Sequence, residues 1–327
     1  MQLKELAGSS RHFRIAIATA LMTMTSLALG AVATVQPVVE PPPVAQPAAS
    51  GTLDRIRASG KLVLGYRTDA RPLSYKDTSG QPAGYAVTLC QKVADAVKSS
   101  LGLSTLAVEW VADAETRELE QGNVDLLCGD DAVTLTARET VAFSIPIFPG
   151  GIAALLRSDA GDQMKDVLEQ RPPPYQPLWR GNAGLSLQAL ERKTFAVVEG
   201  TSAARWLIDR IAKLGFTAGL TPVDSYDAGV AKVVNRNANV LFGDRARLLD
   251  AAVHNANAND LQVLNRHFTY EPLALALKRN DDDLRLVVDR ALSDFYALPA
   301  FGDTYTASFG PADPDTIQFF RMTAVPK

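Results

Sequence analysis

The chain has 327 residues with a net charge of −3 at pH 7, and 21% of its residues are charged. This balanced, slightly acidic composition argues against nucleic acid and against an anionic membrane surface as the main partner, because both attract strongly basic proteins. The length is sufficient for two domains of ordinary size.

The first 33 residues predict a secretory signal peptide. Basic residues precede an uncharged run over 15–33, which ends in the small-x-small pattern Ala31-Val32-Ala33. A retained transmembrane anchor is the alternative, since the run nearly reaches the roughly 20 residues that span a bilayer. Threonines within the run, and the lack of positive charge directly after it, favour cleavage and a periplasmic location.

The next segment, 34–51, is rich in proline. Its five prolines stand among Ala and Val residues, a composition that prefers the extended polyproline conformation and cannot build a core. We interpret the segment as a spacer between the signal peptide and the folded part of the chain.

From residue 52 onward, strands and helices alternate. A buried strand is predicted over Lys61–Tyr66, an amphipathic helix over 84–101 and a second strand over 106–111. This alternation predicts an α/β fold, in which helices cover a mostly parallel sheet.

Both cysteines lie in the part of the chain that is predicted to be exported. Cys90 falls on the apolar stripe of the 84–101 helix, and Cys128 ends a strand of the same predicted domain. An even number of cysteines in an oxidising compartment favours one disulfide. Two buried free thiols are the alternative, because geometry limits which pairs can be bridged.

Two segments share one pattern, and each delivers an aspartate to the carboxyl end of a strand. A short helix that ends at Gly122 leads into the strand before Asp130, and a helix that ends near Asn235 leads into the strand before Asp244. Ligands bind at this end of the strands in open α/β sheets, so both aspartates are candidate ligand residues. The alternative, that each aspartate only caps the next turn, stays open.

The second half of the chain contains an irregular section over 159–193 with a Pro-rich run at 171–177. Such runs can bind aromatic grooves, but they are more often surface connectors, and we interpret this one as a connector. A strand over 194–198 and a helix over 201–214 follow, with a turn that suits an anionic ligand group at the start of the helix. The last helix is predicted over 281–296, since its apolar residues recur at helical spacing.

Short motifs occur along the chain in an order and spacing that are typical of one family. They are Asp54-Arg55-Ile56, Gly60-Lys61, Pro72-Leu73-Ser74-Tyr75, Gly84-Tyr85, Phe143-Ser144-Ile145-Pro146, Gly200-Thr201 and Gly243-Asp244. Together they resemble the family 3 extracytoplasmic solute-binding proteins, the polar amino acid receptors of ABC importers, of the glutamate/aspartate-receptor-like kind. The likeness extends from about residue 52 to residue 310.

The resemblance implies a type II periplasmic binding protein fold, an α/β "Venus flytrap" with two lobes joined by two hinge strands. By this analogy, 52–150 and 272–327 form lobe 1, and 155–271 form lobe 2. The function implied is that of a monomeric periplasmic protein that traps a small molecule between closing lobes and delivers it to an ABC permease. No cofactor and no catalytic residue is expected.

The resemblance also implies ligand contacts, and only some of these positions carry the residue that is typical of the family. Tyr75 lies in one of the shared motifs, Thr134, Thr201 and Ser202 match family hydroxyls, and Asp244 matches the acid that binds the α-ammonium group. Asp130 and Asp131, by contrast, stand where the family has Gly and an apolar residue. These residues are the candidate ligand-binding set.

The family arginine that binds the α-carboxylate is displaced in this chain. Twelve residues after Asp125 and six before Phe143, the position falls on Ala137. Arg138 stands next to it and could take over this contact if its side chain turns inward; a surface position is the alternative. The loss of an Arg-carboxylate contact predicts weak binding of a standard amino acid.

The acidic residues suggest what the site would bind instead. If Asp130, Asp131 and Asp244 face one cleft with no cation opposite, the site suits a cationic ligand better than an acidic one. Their mutual repulsion is then expected to raise the pKa of at least one of them and to weaken ligand binding at acidic pH.

Two other functions compete with solute transport. Dehydratases share this fold, but the chain lacks a cationic carboxylate anchor, and His254 and His267 are isolated from each other and from any metal-ligand spacing. A sensor or accessory module that no longer takes part in transport is the other alternative, and the altered arginine position permits it.

Overall fold

The computed structural model of the protein describes residues 51–170 and 187–327. The predicted signal peptide, the 34–50 part of the predicted spacer and the Pro-rich run at 171–177 lie outside the described residues. Within them, no helix combines the length and the apolarity that crossing a bilayer requires.

Thirteen strands and ten α-helices occur along the described residues. The strands are β1 (Lys61–Tyr66), β2 (Asp69–Ala70), β3 (Ser74–Lys76), β4 (Pro82–Ala83), β5 (Ala107–Ala112), β6 (Leu126–Cys128), β7 (Val141–Gly150), β8 (Ile152–Arg157), β9 (Thr194–Val198), β10 (Gly219–Val223), β11 (Val240–Asp244), β12 (Leu261–Val263) and β13 (Glu271–Lys278). The helices are α1 (Thr52–Ser59), α2 (Tyr85–Ser100), α3 (Thr116–Gln121), α4 (Asp162–Glu169), α5 (Ser202–Leu214), α6 (Tyr226–Val234), α7 (Arg245–Val253), α8 (Asp282–Tyr296), α9 (Pro299–Phe309) and α10 (Pro314–Thr323).

The first five-stranded sheet has the order β5-β1-β6-β13-β7. Strand β1 runs parallel to β5 and β6, whereas β13 runs antiparallel to β6 and β7. Buried residues of α2 and α8 pack with β1, β6 and β13 in one apolar cluster. We call this sheet with its helices lobe 1.

The second sheet also has five strands, in the order β10-β9-β11-β8-β12. Strand β9 runs parallel to β10 and β11, and β8 runs antiparallel to β11 and β12. Apolar side chains cover both faces of this sheet, as expected for strands between two layers of helices. We call this sheet with its helices lobe 2. A third, three-stranded sheet has the order β2-β3-β4, and Leu73 between β2 and β3 is buried in the lobe 1 cluster.

The chain passes between the two sheets twice, once from β7 to β8 and once on its return into β13. Gly151 forms the first passage with a φ of +120°, and a Cβ atom there would lie 2.1 Å from the carbonyl oxygen of Thr269 on the returning segment. The amide of Ile152 donates to the Thr269 hydroxyl at 2.9 Å. Only glycine fits so close an approach, and the predicted two-lobed type II fold is present.

Helix α7 packs against both lobes, although its strand neighbours belong to lobe 2. Leu248 and Ala251 are part of a lobe 2 cluster. Ala246 is fully buried in the lobe 1 cluster, and Leu249 packs against that cluster. The buried Arg245 donates to the Asp313 carboxylate at 3.1 Å, at the start of α10.

The structure confirms several elements that the sequence predicts, and it corrects one prediction. The predicted bounds of β1 and β9 are those observed, and Cys90 and Cys128 are joined in a disulfide with their Cα atoms 6.1 Å apart. The helix over 282–296 is not the last, because α9 and α10 follow it and complete the lobe 1 core. The residue bounds of the two lobes remain predictions.

Candidate functional site

The carboxyl ends of strands from the two lobes meet at a group of acidic and basic side chains. Asp130 and Asp131 follow β6 of lobe 1, and Asp244 ends β11 of lobe 2. The Arg247 guanidinium, on the first turn of α7, lies 3.8 Å from the Asp130 carboxylate. This ion pair brings the two lobes together at the predicted ligand residues.

Asp244 is held in place by its neighbours. Its carboxylate accepts from the backbone amide of Arg247 at 3.1 Å and so caps α7, while its own amide donates to the Tyr226 hydroxyl at 3.0 Å. Burial, with a smaller contribution from Asp130, raises the pKa of Asp244 to about 6, and Arg247 opposes this shift.

Asp131 has a similar shift for similar reasons. Burial first, and repulsion by Asp130 second, raise the pKa of Asp131 to about 6, against the attraction of Arg67. A Cβ atom at Gly129 would lie 3.1 Å from the Asp131 carboxylate and 3.4 Å from the Arg67 side chain, so glycine leaves these two groups room. The expected pKa rise therefore occurs at two carboxyl groups, with burial as its main cause.

Two cations lie among the acids, and the sequence reasoning missed both. Arg67 follows β1 directly, and because β1 and β6 are parallel neighbours, their carboxyl ends lie at the same edge of the sheet. Arg247 stands one helical turn after Asp244. The condition on which the preference for a cationic ligand rested, that no cation faces the acids, is therefore not met. Strand neighbours and helical spacing could have indicated both arginines.

Arg138 is not placed among these acids. It is exposed and follows Thr134, whose hydroxyl accepts from the Ala137 amide at 3.0 Å and starts a short 3₁₀ turn. Its side chain lines a separate pocket of about 480 Å³ with Arg279 and Asp289, and none of the three aspartates lines that pocket. The surface position is therefore the one observed.

The remaining predicted residues are Thr201 and Ser202, at the start of α5, and Tyr75, in β3. The Thr201 hydroxyl caps α5 by accepting from the Ala204 amide at 3.2 Å, and it donates to the Val198 carbonyl at 2.7 Å. Ser202 is exposed at the first position of that helix. The Tyr75 ring, in the small sheet, lies 4.9 Å from the Arg71 guanidinium.

A second ionic contact joins the lobes near this site. Arg71, beside the small sheet, contacts the Asp250 carboxylate on α7 at 3.1 Å. His254 approaches the same carboxylate at 3.1 Å through Nδ1. Helix α7 thus carries charged contacts to lobe 1 at Arg245, Arg247 and Asp250.

His254 and His267 have different surroundings. His254 belongs to the exposed contact with Asp250, whereas His267 is partly buried near Arg245, which together with burial lowers its pKa. Across residues 51–170 and 187–327, no group of His, Cys, Asp or Glu side chains could hold a metal ion.

Comparisons with known sequences identify one group of relatives. A model of the bacterial extracellular solute-binding proteins, family 3, matches residues 62–310. An L-glutamate/L-aspartate-binding protein of Pseudomonas aeruginosa is 26% identical over 273 residues, which cover 82% of each chain. An L-cystine-binding protein of Escherichia coli is 22% identical over 251 residues, or 76% of this chain and 82% of that protein.

Solved structures have the same architecture. A polar amino acid ABC uptake transporter substrate-binding protein from Streptococcus thermophilus aligns with a TM-score of 0.63 at 16% identity, and covers 82% of this chain and 93% of that chain. An ancestral cationic amino acid solute-binding protein aligns with a TM-score of 0.59 at 23% identity, over 79% and 99% of the two chains. At these identities the likeness supports the fold and carries no information on the ligand.

Proposed function

Because the chain belongs to the family 3 bacterial extracellular solute-binding proteins, we propose that it is the periplasmic solute-binding component of an ABC importer. It binds a small amino-acid-like or cationic solute between its two lobes. Ligand binding favours the closed arrangement of the lobes, and no covalent chemistry takes place.

The observation that carries this proposal is the convergence of three carboxylates from two lobes. Asp130 and Asp131 come from lobe 1, and Asp244 comes from lobe 2. An ammonium group placed between them interacts with both lobes at once, so that binding favours their approach. The relatives named above bind amino acids, and an ammonium group is common to those ligands.

The residues around the acids have proposed supporting roles. Thr201 and Ser202 lie at the N-terminus of α5, where free amide groups suit a ligand carboxylate. Thr134 and Tyr75 belong to lobe 1 and are proposed to contact the ligand from that side. The Arg138 side chain, which lines another pocket, is not part of this proposal.

The test is isothermal titration of the purified protein with amino acids, polyamines and betaines, followed by Asp244→Asn. We expect saturable binding of an ammonium compound, weakened by about tenfold or more in the variant, since contacts to charged groups contribute about 1.5–3 kcal/mol. Asp209→Asn removes an exposed acid that pairs with Lys213, and serves as the matched control.

The pH dependence gives the same experiment a second readout. In the free protein the pKa values of Asp131 and Asp244 are about 6, so both groups are mostly ionised at pH 7 and mostly neutral at pH 5. Ammonium binding should therefore weaken by about tenfold between pH 7 and pH 5. If no compound binds at pH 7, the proposal is wrong, and a sensor or accessory role becomes the better interpretation.

A further inference from the structure

The contact between Arg247 and Asp130 is an ion pair without a direct hydrogen bond between the two side chains. Its separation of 3.8 Å exceeds the 2.7–3.2 Å of an N–H···O hydrogen bond. The Arg247 and Asp130 side chains remain 38% and 39% exposed. Both groups can therefore form better hydrogen bonds with another partner without leaving a buried charge behind.

We propose that Arg247 binds the carboxylate of the ligand, and that the site selects zwitterionic α-amino acids over amines that lack a carboxylate. This inference rests on the proposed function. The ligand enters between the two charged groups: its ammonium group contacts Asp130 and Asp244, and its carboxylate contacts Arg247. A zwitterion satisfies both members of the loose pair, whereas a diamine satisfies the acids and leaves the guanidinium repelling it.

The position of Arg247 suits an α-amino acid in particular. The ammonium and carboxylate groups of such a ligand are attached to one carbon, so the side chains that bind them must lie close together. Asp244 and Arg247 lie on the same helical turn, and the Asp244 carboxylate accepts from the Arg247 amide at 3.1 Å. The planar guanidinium can donate two parallel hydrogen bonds to a carboxylate, which a lysine cannot do.

Two other arginines fit this role less well. Arg138 lines a pocket without the three aspartates. Arg67 lies in lobe 1 beside Asp131 and contacts Asp69 at 3.8 Å, so its position relative to Asp244 is not fixed by a shared element. Arg247 therefore fits the carboxylate of an ammonium-bound ligand better than either.

The experiment compares each amino acid with its decarboxylated amine. Isothermal titration is carried out with L-arginine and agmatine, L-lysine and cadaverine, and L-glutamate and 4-aminobutyrate, on the natural protein and on Arg247→Met. We expect the variant to lose about tenfold or more in affinity for the amino acid that binds. It should keep or improve its affinity for agmatine and cadaverine, which lack a carboxylate, whereas 4-aminobutyrate keeps a carboxylate and shows whether Arg247 requires that group next to the ammonium. Arg247→Lys should recover only part of the loss.

The control for a general loss of positive charge is Arg321→Met. Arg321 is an exposed residue in the last turn of α10. Equal weakening of amino acid and amine, or no change in either, would contradict the role of Arg247 while leaving the proposed function in place. A loss confined to Arg138→Met would assign the carboxylate to Arg138 instead. Failure of all six compounds to bind the natural protein would overturn the inference and the proposed function together.

Discussion

The two lobes hold their acidic groups in different ways. In lobe 1, Asp131 follows a strand whose last residue, Cys128, is bonded to Cys90 on α2. In lobe 2, Asp244 has no such covalent support and is fixed by capping α7 and by the Tyr226 hydroxyl. The pKa of both Asp131 and Asp244 is nevertheless about 6. The pKa shifts are thus similar because both carboxyl groups are buried, although a disulfide supports the strand before one and hydrogen bonds fix the other.

Because their acidic groups are supported differently, the two lobes should respond to different substitutions. Loss of the disulfide should affect the strand that leads to Asp130 and Asp131, whereas loss of the helix cap should affect α7. Protonation should affect both, because burial is the main cause of the pKa shift in each.

The largest expected effect on stability is that of the disulfide. The double substitution Cys90→Ala with Cys128→Ala should lower the free energy of unfolding by roughly 2–4 kcal/mol. It removes a covalent link between residues 38 positions apart, and it leaves a small cavity at each of two buried positions. Urea unfolding with and without a reductant measures this. The reductant should destabilise the natural protein and have no further effect on the variant. Equal stability of the two proteins would show that lobe 1 does not depend on the covalent link.

The second effect is a rise in stability as the pH falls from 7 to 5. The folded-state pKa values of Asp131 and Asp244 lie above the ordinary value of 3.8. Between pH 6 and pH 4 the folded protein therefore binds protons that the unfolded chain does not, and stability is lost as the pH rises through 6. From pH 7 to pH 5 each carboxyl should contribute about 1.3 kcal/mol.

Urea unfolding at pH 5 and pH 7 tests this against the double variant Asp131→Asn with Asp244→Asn, which should lack the two contributions. His267, whose pKa is lowered, acts in the opposite direction below pH 6.5, so the difference between the two proteins is the informative quantity. An unchanged pH dependence in the variant would rule out the two aspartates as its source.

The smallest effect concerns the helix cap. Asp244→Ala removes the acceptor for the Arg247 amide and should be less stable than Asp244→Asn by about 1 kcal/mol, because asparagine can still cap α7. The same pair of substitutions at Asp131 should show no such difference, since that carboxylate caps no helix. Thermal unfolding of the four variants at pH 7 measures the stability difference between Ala and Asn at each position. A difference at Asp131 as large as that at Asp244 would contradict the capping role of Asp244.

The sequence was informative where patterns of burial determine structure. Continuous apolar runs predicted β1 and β9 with their observed bounds, and the repeated strand-to-aspartate pattern predicted the strands that precede Asp130 and Asp244. These predictions succeeded because short apolar runs between turn residues are typical of buried strands. The start of α10 also carries a signal in the sequence, an Asp313 cap before Pro314.

The sequence was less informative about the directions of long side chains. Arg138 adjoins the expected arginine position, but the 3₁₀ turn after Thr134 determines where its side chain lies. Arg67 and Arg247 match none of the ligand contacts that the family resemblance implies. Strand adjacency and helix geometry nevertheless bring both side chains to the acids. Such contacts depend on elements that are distant in sequence, and spacing along the chain does not reveal them.

Helix α7 has a consequence for how the molecule can be divided. Its Leu248 contributes to the core of lobe 2 and its Ala246 to the core of lobe 1, and Arg245 is buried against the start of α10. A cut between the lobes would leave one apolar face of this helix uncovered, whichever half retained it. The two lobes are therefore not interchangeable modules, and a chimaera that replaces either lobe must also supply a matching surface for α7.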